Sequence, residues 1–295
     1  MRAEIWIKNK FRVPPMGVGG LKICMKNTAF LWLVMNVGLW GCHEATKPLP
    51  PAGIALSFDD RYVEEWTRLR PLLKKYNVHV TFYVTQFDSL TPKEVALLHQ
   101  LQRDGHEIGA HGAAHIRVLD WMRGGASLDD FFRYEIEAEL ISMRKAGFRP
   151  VTFAHVGGQQ TWWTDRRLLR DYFKLLRDVS MTERRLPFFV FRQPIFGIDE
   201  IYYHFDGDRT VHSLLIDQYT NITDAQLKDG LIRAKNTQSV LMLLGHHPLF
   251  TPSDEPYAFS VARLEKLLQE TQRLGLKTYT MSELVEHGDM ETRRK

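Results

Sequence analysis

The chain has 295 residues, 44% apolar and 12% aromatic, enough to fill a sizeable core, with 39 basic against 35 acidic side chains. The net charge of +4 belongs to a leader: residues 1–41 hold six basic side chains and one acidic, and residues 42–295 hold 33 basic and 34 acidic. A body so nearly neutral excludes nucleic acid as the expected partner. Cys24 and Cys42 are the only cysteines, which excludes a disulfide, a thiol nucleophile or a cysteine-ligated zinc from the body.

In chain order the leader comes first. Met25-Lys-Asn opens a short basic region. Residues 29–40 form an apolar run too short to span a bilayer comfortably, and Leu39-Trp-Gly-Cys42 has the form of a lipobox. The expectation is a lipoprotein signal peptide over 25–42, acylated at Cys42, with a plain secretory signal or a signal anchor as the alternative. Residues 1–24 would then be a gene-model extension and 43–52 a Pro-rich linker, with the domain over 53–287 and a tail over 288–295. This leader implies export to a bacterial cell envelope and a membrane partner through the lipid. It leaves the oligomeric state open.

The body alternates strand and helix. Strands are expected near 53–58, 78–84, 106–110, 151–155, 175–180, 211–216, 239–244 and 276–280. Helices are expected near 62–76, 91–104, 129–146, 164–172, 223–236 and 258–274. Alternation of this kind makes an α/β fold with a parallel sheet. The Phe-, Pro- and Gly-rich stretch 186–208 breaks the rhythm and reads as an inserted hairpin or long loop at the rim.

Chemistry-bearing residues cluster at strand ends. Asp59 and Asp60 sit where the first strand hands over to a helix, the edge at which α/β folds build sites. His111-Gly-Ala-Ala-His115 follows the third strand, and Leu243-Leu-Gly-His246-His247 closes the seventh. One carboxylate and two imidazoles form a donor set for a divalent cation, and a second carboxylate beside it could move protons. An Asp pair before a helix also serves as a cap, and Trp162-Trp163 could stack on sugar rings or pack beneath a loop.

Taken together, Ser57-Phe-Asp-Asp-Arg61, His111-Gly-Ala-Ala-His115 and Leu243-Leu-Gly-His246 resemble, in order, the motifs of the polysaccharide deacetylases. That resemblance implies a distorted, TIM-barrel-like (β/α) barrel. It implies a metal-dependent hydrolase that removes N-acetyl or O-acetyl groups from a glycan. It assigns Asp60, His111 and His115 as ligands, Asp59 as base, His246 rather than His247 as acid, and Gly157 as an oxyanion donor. The cation would be Zn²⁺, with Co²⁺, Ni²⁺ or Fe²⁺ also suited to these donors.

Three departures accompany the match. Arg61 replaces a glycine and would set a cation beside the base. The third motif reads Phe153-Ala-His-Val-Gly-Gly158 and lacks the arginine that orients the base, with His155 in reach as an added ligand or proton carrier. No aspartate-tryptophan motif supports the acid histidine. A catalytically weak, glycan-binding barrel is therefore the second expectation. A metallophosphoesterase, suggested only by Gly245-His-His247, lacks that class's other motifs.

Overall fold

The structure, a computed structural model, describes residues 49–186 and 189–292. The expected extension, signal peptide and lipidation at Cys42 lie outside the described residues, as does most of the expected linker. The strands in chain order are β1 (Gly53–Asp60), β2 (Thr81–Val84), β3 (Glu107–Ala110), β4 (Thr152–Ala154), β5 (Leu175–Ser180), β6 (Glu183–Leu186), β7 (Phe189–Arg192), β8 (Tyr202–Tyr203), β9 (Thr210–Leu215), β10 (Val240–Gly245), β11 (His247–Leu249), β12 (Ala258–Ser260) and β13 (Lys277–Tyr279).

Seven of these strands close on themselves in the order β1-β2-β3-β4-β5-β9-β10 and back to β1, every pair parallel. The fold is the expected (β/α) barrel. The last expected strand, β13, does not join the ring. It pairs with Gly53–Ala55 at the start of β1, where β2 has not yet engaged.

The strands read as apolar runs because both faces are covered. Side chains alternate along each strand, and the core divides accordingly. Ile54, Leu56 and Phe58 pack outward with Phe82, Ile108, Phe153 and the helices. Ala55 packs inward with Tyr83, Ala154, Leu175, Val211 and Met242. The lumen is tight: a Cβ on Gly109 would lie 2.5 Å from the Tyr83 ring, so this strand position admits only glycine.

The helices differ from expectation in detail. The expected helix 62–76 is two, Val63–Arg68 and Arg70–Lys75, joined at Leu69 just before Pro71. The expected 129–146 helix contains a π-helical stretch, Phe132–Glu137. Strand β12 takes the first residues of the expected 258–274 helix, whose helical part is Val261–Arg273. A final helix, Met281–Thr292, runs across the expected boundary with the tail. The antiparallel hairpin β6–β7 begins at Glu183, ahead of the expected 186–208 stretch, and is followed by β8, which lies antiparallel on β10. Among the described residues no helix is long and apolar enough to cross a membrane.

His106, which precedes β3, is structural. Its Nδ1 accepts the Val80 N–H at 3.3 Å, and its ring meets Phe82 edge-on. Burial, aided by neighbouring His79, pushes it down to about 4, and burial does the same to His111 against the opposing charges of Asp59 and Asp60. Both rings stay neutral in the fold but protonate below about pH 6.5 once the chain unfolds. The contribution of these two rings to stability is therefore complete above that pH and falls as the pH drops toward 4, by on the order of 3 kcal/mol for each ring. Urea unfolding of the metal-free protein should follow this slope. His106→Asn keeps an acceptor for Val80 but does not titrate, and should lose the share of the slope that His106 carries.

Candidate metal centre and its flanking acid and base

Asp59 shares the inward parity of Ala55 and Ser57, and Asp60 should by alternation point outward. The backbone breaks that rule. Asp60 has φ +84°, in the left-handed region, at the last residue of β1. An aspartate tolerates this better than most residues, at a cost of order 1–3 kcal/mol, and the kink accompanies the gathering of both carboxylates at one end of the barrel.

His111 arrives from the end of β3, 1% exposed. Its Nδ1–H donates to the Ala154 carbonyl at 2.9 Å, which leaves Nε2 with a free lone pair. His115 sits four residues on, at φ +59°. Asp60 Oδ1 lies 3.2 Å from His115 Nε2 and 3.7 Å from His111 Nε2. All three donor atoms are within 4.8 Å of one another. Asp60 Oδ1 is buried and has no well-aligned hydrogen-bond donor. Burial alone would raise the Asp60 pKa, but contact with His115 and the charges of His111 and His246 outweigh it and hold the carboxyl at about 2. A buried, ionised oxygen lacking a donor and facing two imidazole nitrogens is chemistry that a divalent cation satisfies.

The loop that carries His115 is fixed by a residue that sequence reasoning passed over. Glu135, fully buried on the π-helical stretch, accepts the N–H groups of Ala114 (2.9 Å) and Ile116 (2.7 Å), and its own carbonyl accepts from Ala113 (2.9 Å). Its carboxylate fills the space beside Gly112, where a Cβ would lie 2.3 Å from Oε1 at φ +90°. The glycine and the buried glutamate therefore require each other.

Asp59 is held by Arg177, fully buried on β5, whose Nη2 donates to both carboxylate oxygens. The orienting arginine expected from the third motif thus comes from a different strand. The sequence did carry a signal, a lone arginine in Leu175-Leu-Arg-Asp-Val-Ser180, since a cation in an apolar strand is seldom buried unpaired. Arg61 is turned away from Asp59: it donates to Ser89 Oγ at 2.7 Å and to Gln86 Oε1 at 3.3 Å.

His246 follows β10. Its Nδ1 lies 2.5 Å from Asp217 Oδ2, and its backbone N–H donates to Asp217 Oδ1 at 3.1 Å. Asp217 ends the apolar run after β9 and supplies the support for which the sequence showed no motif. Trp66 Nε1 donates to the His246 carbonyl at 3.3 Å. Burial works against a charged imidazole here, but the Asp217 hydrogen bond and the charges of Asp59, Asp217 and Asp60 prevail and raise His246 to about 9. His247 points elsewhere, pairing with Glu255 at 2.8 Å and stacking on Tyr62.

His155 is buried at the end of β4, with Nε2 3.1 Å from Asp165 Oδ1 on the helix Trp162–Asp171. It is not among the three clustered donor residues, and in place of the expected added ligand or proton carrier the structure sets its ring against Asp165. Gly157 occupies the turn after β4 at φ +59°, against the Arg117 stem. Trp162 and Trp163 are 61% and 67% exposed, at the first turn of the helix on the same rim, and are not packed beneath a loop.

Residues 46–152 match the polysaccharide deacetylase family. Over those residues the chain is similar to the polysaccharide deacetylases. The deacetylase match holds the motifs of Asp59, Asp60, His111 and His115, and the barrel completes the fold beyond it. Among solved structures, a putative polysaccharide deacetylase from Mycobacterium smegmatis is similar at 17% identity and TM-score 0.53, over 83% of this chain and 96% of that one. The Xyl-CE4 domain of a multidomain xylanase from the hindgut metagenome of Trinervitermes trinervoides aligns at 16% identity and TM-score 0.52, over 80% and 91%. A peptidoglycan N-acetylglucosamine deacetylase aligns at 17% identity and TM-score 0.52, over 81% and 90%. At these identities the likeness is one of fold. No curated protein matches the chain.

Two outcomes test the flanking pairs. Arg177→Met leaves Asp59 buried without its cation and should cost about 3–5 kcal/mol in urea unfolding. Asp217→Asn removes the stronger partner of His246, so the imidazole titration followed by NMR in the metal-free protein should move down from about 9 toward 6.5.

Proposed function

We propose that the chain is a metal-dependent glycan deacetylase that hydrolyses an N-acetyl or O-acetyl group. The observation that carries this reading is the convergence of Asp60, His111 and His115 on one point, flanked by the Arg177–Asp59 and Asp217–His246 pairs. A divalent cation held by those three residues supplies Lewis-acid polarisation of the acyl carbonyl and acidifies water, as an unreactive amide requires. Asp59, fixed through both oxygens by Arg177, takes the proton of the attacking water. His246, kept protonated at neutral pH by Asp217, delivers a proton from Nε2 to the leaving amine or alcohol. The N–H of Gly157, at the turn after β4, is the proposed donor to the developing oxyanion.

The glycan assignment is supported by the family match and by the exposed Trp162 and Trp163 at the rim, whose faces suit sugar rings. The alternative of a barrel that binds glycan without turnover rests on Arg61, on the altered third motif with its missing arginine and on the missing support for the acid; against it, Arg61 donates to Ser89 and Gln86, Arg177 meets Asp59 and Asp217 meets His246. Zn²⁺ is the proposed cation, with Co²⁺, Ni²⁺ or Fe²⁺ suited to the same donors.

The test is acetate release from N-acetylglucosamine oligomers with added Zn²⁺ or Co²⁺, alongside metal analysis of each variant. Asp59→Asn should retain metal and lose about 10²–10⁴ in kcat. Asp60→Ala and His115→Ala should lose the metal itself. Equal metal content in all four proteins would remove the proposed ligands.

A further inference from the structure

The turn that follows β4 lies against β5 and is fastened to it at both ends. At its start the His155 N–H donates to the Arg177 carbonyl at 3.0 Å. At its end Gln160 Nε2 donates to Asp178 Oδ2 at 2.7 Å. Between these points a Cβ on Gly158 would lie 2.9 Å from Val179 Cβ and 3.2 Å from Asp178 Oδ1, so there is no room for a side chain between turn and strand. Two consecutive residues of β5 thus hold one turn, the first by its main chain and the second by its carboxylate.

The surroundings of Asp178 direct it to this contact. It is 5% exposed, and an aspartate so enclosed needs hydrogen-bond donors for its oxygens. Oδ1 accepts the Val179 N–H at 2.7 Å, which orients the carboxylate and leaves Oδ2 for Gln160. His212, paired with Asp178 across β5 and β9, brings Nε2 to 3.6 Å from Oδ2, too long for a hydrogen bond. Among the described residues, the Gln160 amide supplies the hydrogen bond that joins Asp178 to another segment.

Side chains alternate along a strand, so Arg177 and Asp178 face opposite ways. Arg177 enters the lumen and meets both Asp59 oxygens, and Asp178 meets the turn. One strand thereby sets the position of the base and that of the turn bearing Gly157. The same segment begins at Ala154, whose carbonyl accepts from His111 Nδ1 at 2.9 Å. Gly157 itself is exposed, at φ +59°, and its place is set by what holds the residues on either side.

We propose that Asp178, acting through Gln160, is a positioning residue that fixes the Gly157 N–H relative to Asp59 and the cluster of Asp60, His111 and His115. The proposal rests on the deacetylase reading, in which that N–H meets the oxyanion; a donor misplaced by about 1 Å can cost up to about 10²-fold in rate. Gln160→Glu tests it by setting two carboxylates against each other. Adding Asp178→Asn to that variant restores the contact with its direction reversed, since the new amide donates to the new carboxylate while its oxygen still accepts from Val179.

Amide hydrogen exchange in the metal-free protein reads the turn at Gly158 and Gln159, whose N–H groups donate to the His155 and Val156 carbonyls at 3.1 and 3.2 Å. Gln160→Glu should speed that exchange about tenfold, and the double substitution should slow it again. With metal added, Gln160→Glu should lower kcat for acetate release about 10- to 10²-fold at unchanged KM, metal content and urea midpoint, and the double substitution should recover it. Unchanged exchange in Gln160→Glu, or unchanged kcat despite faster exchange, would overturn the proposal. So would a loss of kcat that the second substitution does not recover, or one that a fall in metal content accounts for. Faster exchange that the second substitution reverses, in a metal-loaded protein that releases no acetate, would uphold the clamp and sink the deacetylase reading.

Discussion

The buried pair of Arg177 and Asp59 is the constraint around which the barrel is arranged. A guanidinium at 0% exposure inside a protein is expensive unless a counter-charge meets it with good geometry. Here both Asp59 oxygens accept from one Arg177 nitrogen, and the guanidinium carbon lies 5.2 Å from the centre of the Tyr83 ring. The other two guanidinium nitrogens find no hydrogen-bond partner, so the pair is not optimised for stability alone. Its geometric consequence is firm: the carboxylate next to the cluster of Asp60, His111 and His115 has one orientation. The tyrosine beneath it fills the lumen, and Gly109 is small to make room for that ring.

Around this pair the site stores local strain and offsets it nearby. Asp60 and His115 both lie at positive φ, an uncommon state for residues with a side chain. The loop that carries His115 is held from more than one direction. The Gly112 carbonyl accepts from Thr85 Oγ1 at 2.6 Å and from the Gln86 N–H at 3.1 Å, while Glu135 takes the N–H groups further along the loop. Strain concentrated at a few residues and over-determined by hydrogen bonds is characteristic of preorganised sites. The π-helical stretch bearing Glu135 belongs to the same pattern, since such insertions recur near functional positions.

The parts of the site are dispersed in the chain and adjacent in space because a closed parallel barrel sends every strand's C-terminal end to one face. Asp59 and Asp60 come from β1, His111 and His115 from the loop after β3, Arg177 from β5, Asp217 from beyond β9 and His246 from beyond β10. Each carboxylate or imidazole that would handle a proton has a dedicated buried partner. The inserted hairpin, outside the strand-helix rhythm, leaves the barrel ring intact.

The fold was legible in the sequence because parallel strands covered on both faces leave uninterrupted apolar runs, and helices between them leave a different period. Asp59, Asp60, His111, His115 and His246 were legible because each sits within a local motif at a strand end. Arg177, Asp217 and Glu135 were not, since their partners are 118, 29 and 21 residues away and no local pattern marks a pair that distant. His155 and Arg61 were misread for the same reason, their direction being set by Asp165 and Ser89. The sequence by itself determined the alternation, the strand ends and the donor types. Only barrel closure decided which buried charge meets which, because that depends on strand parity and on which strands become neighbours.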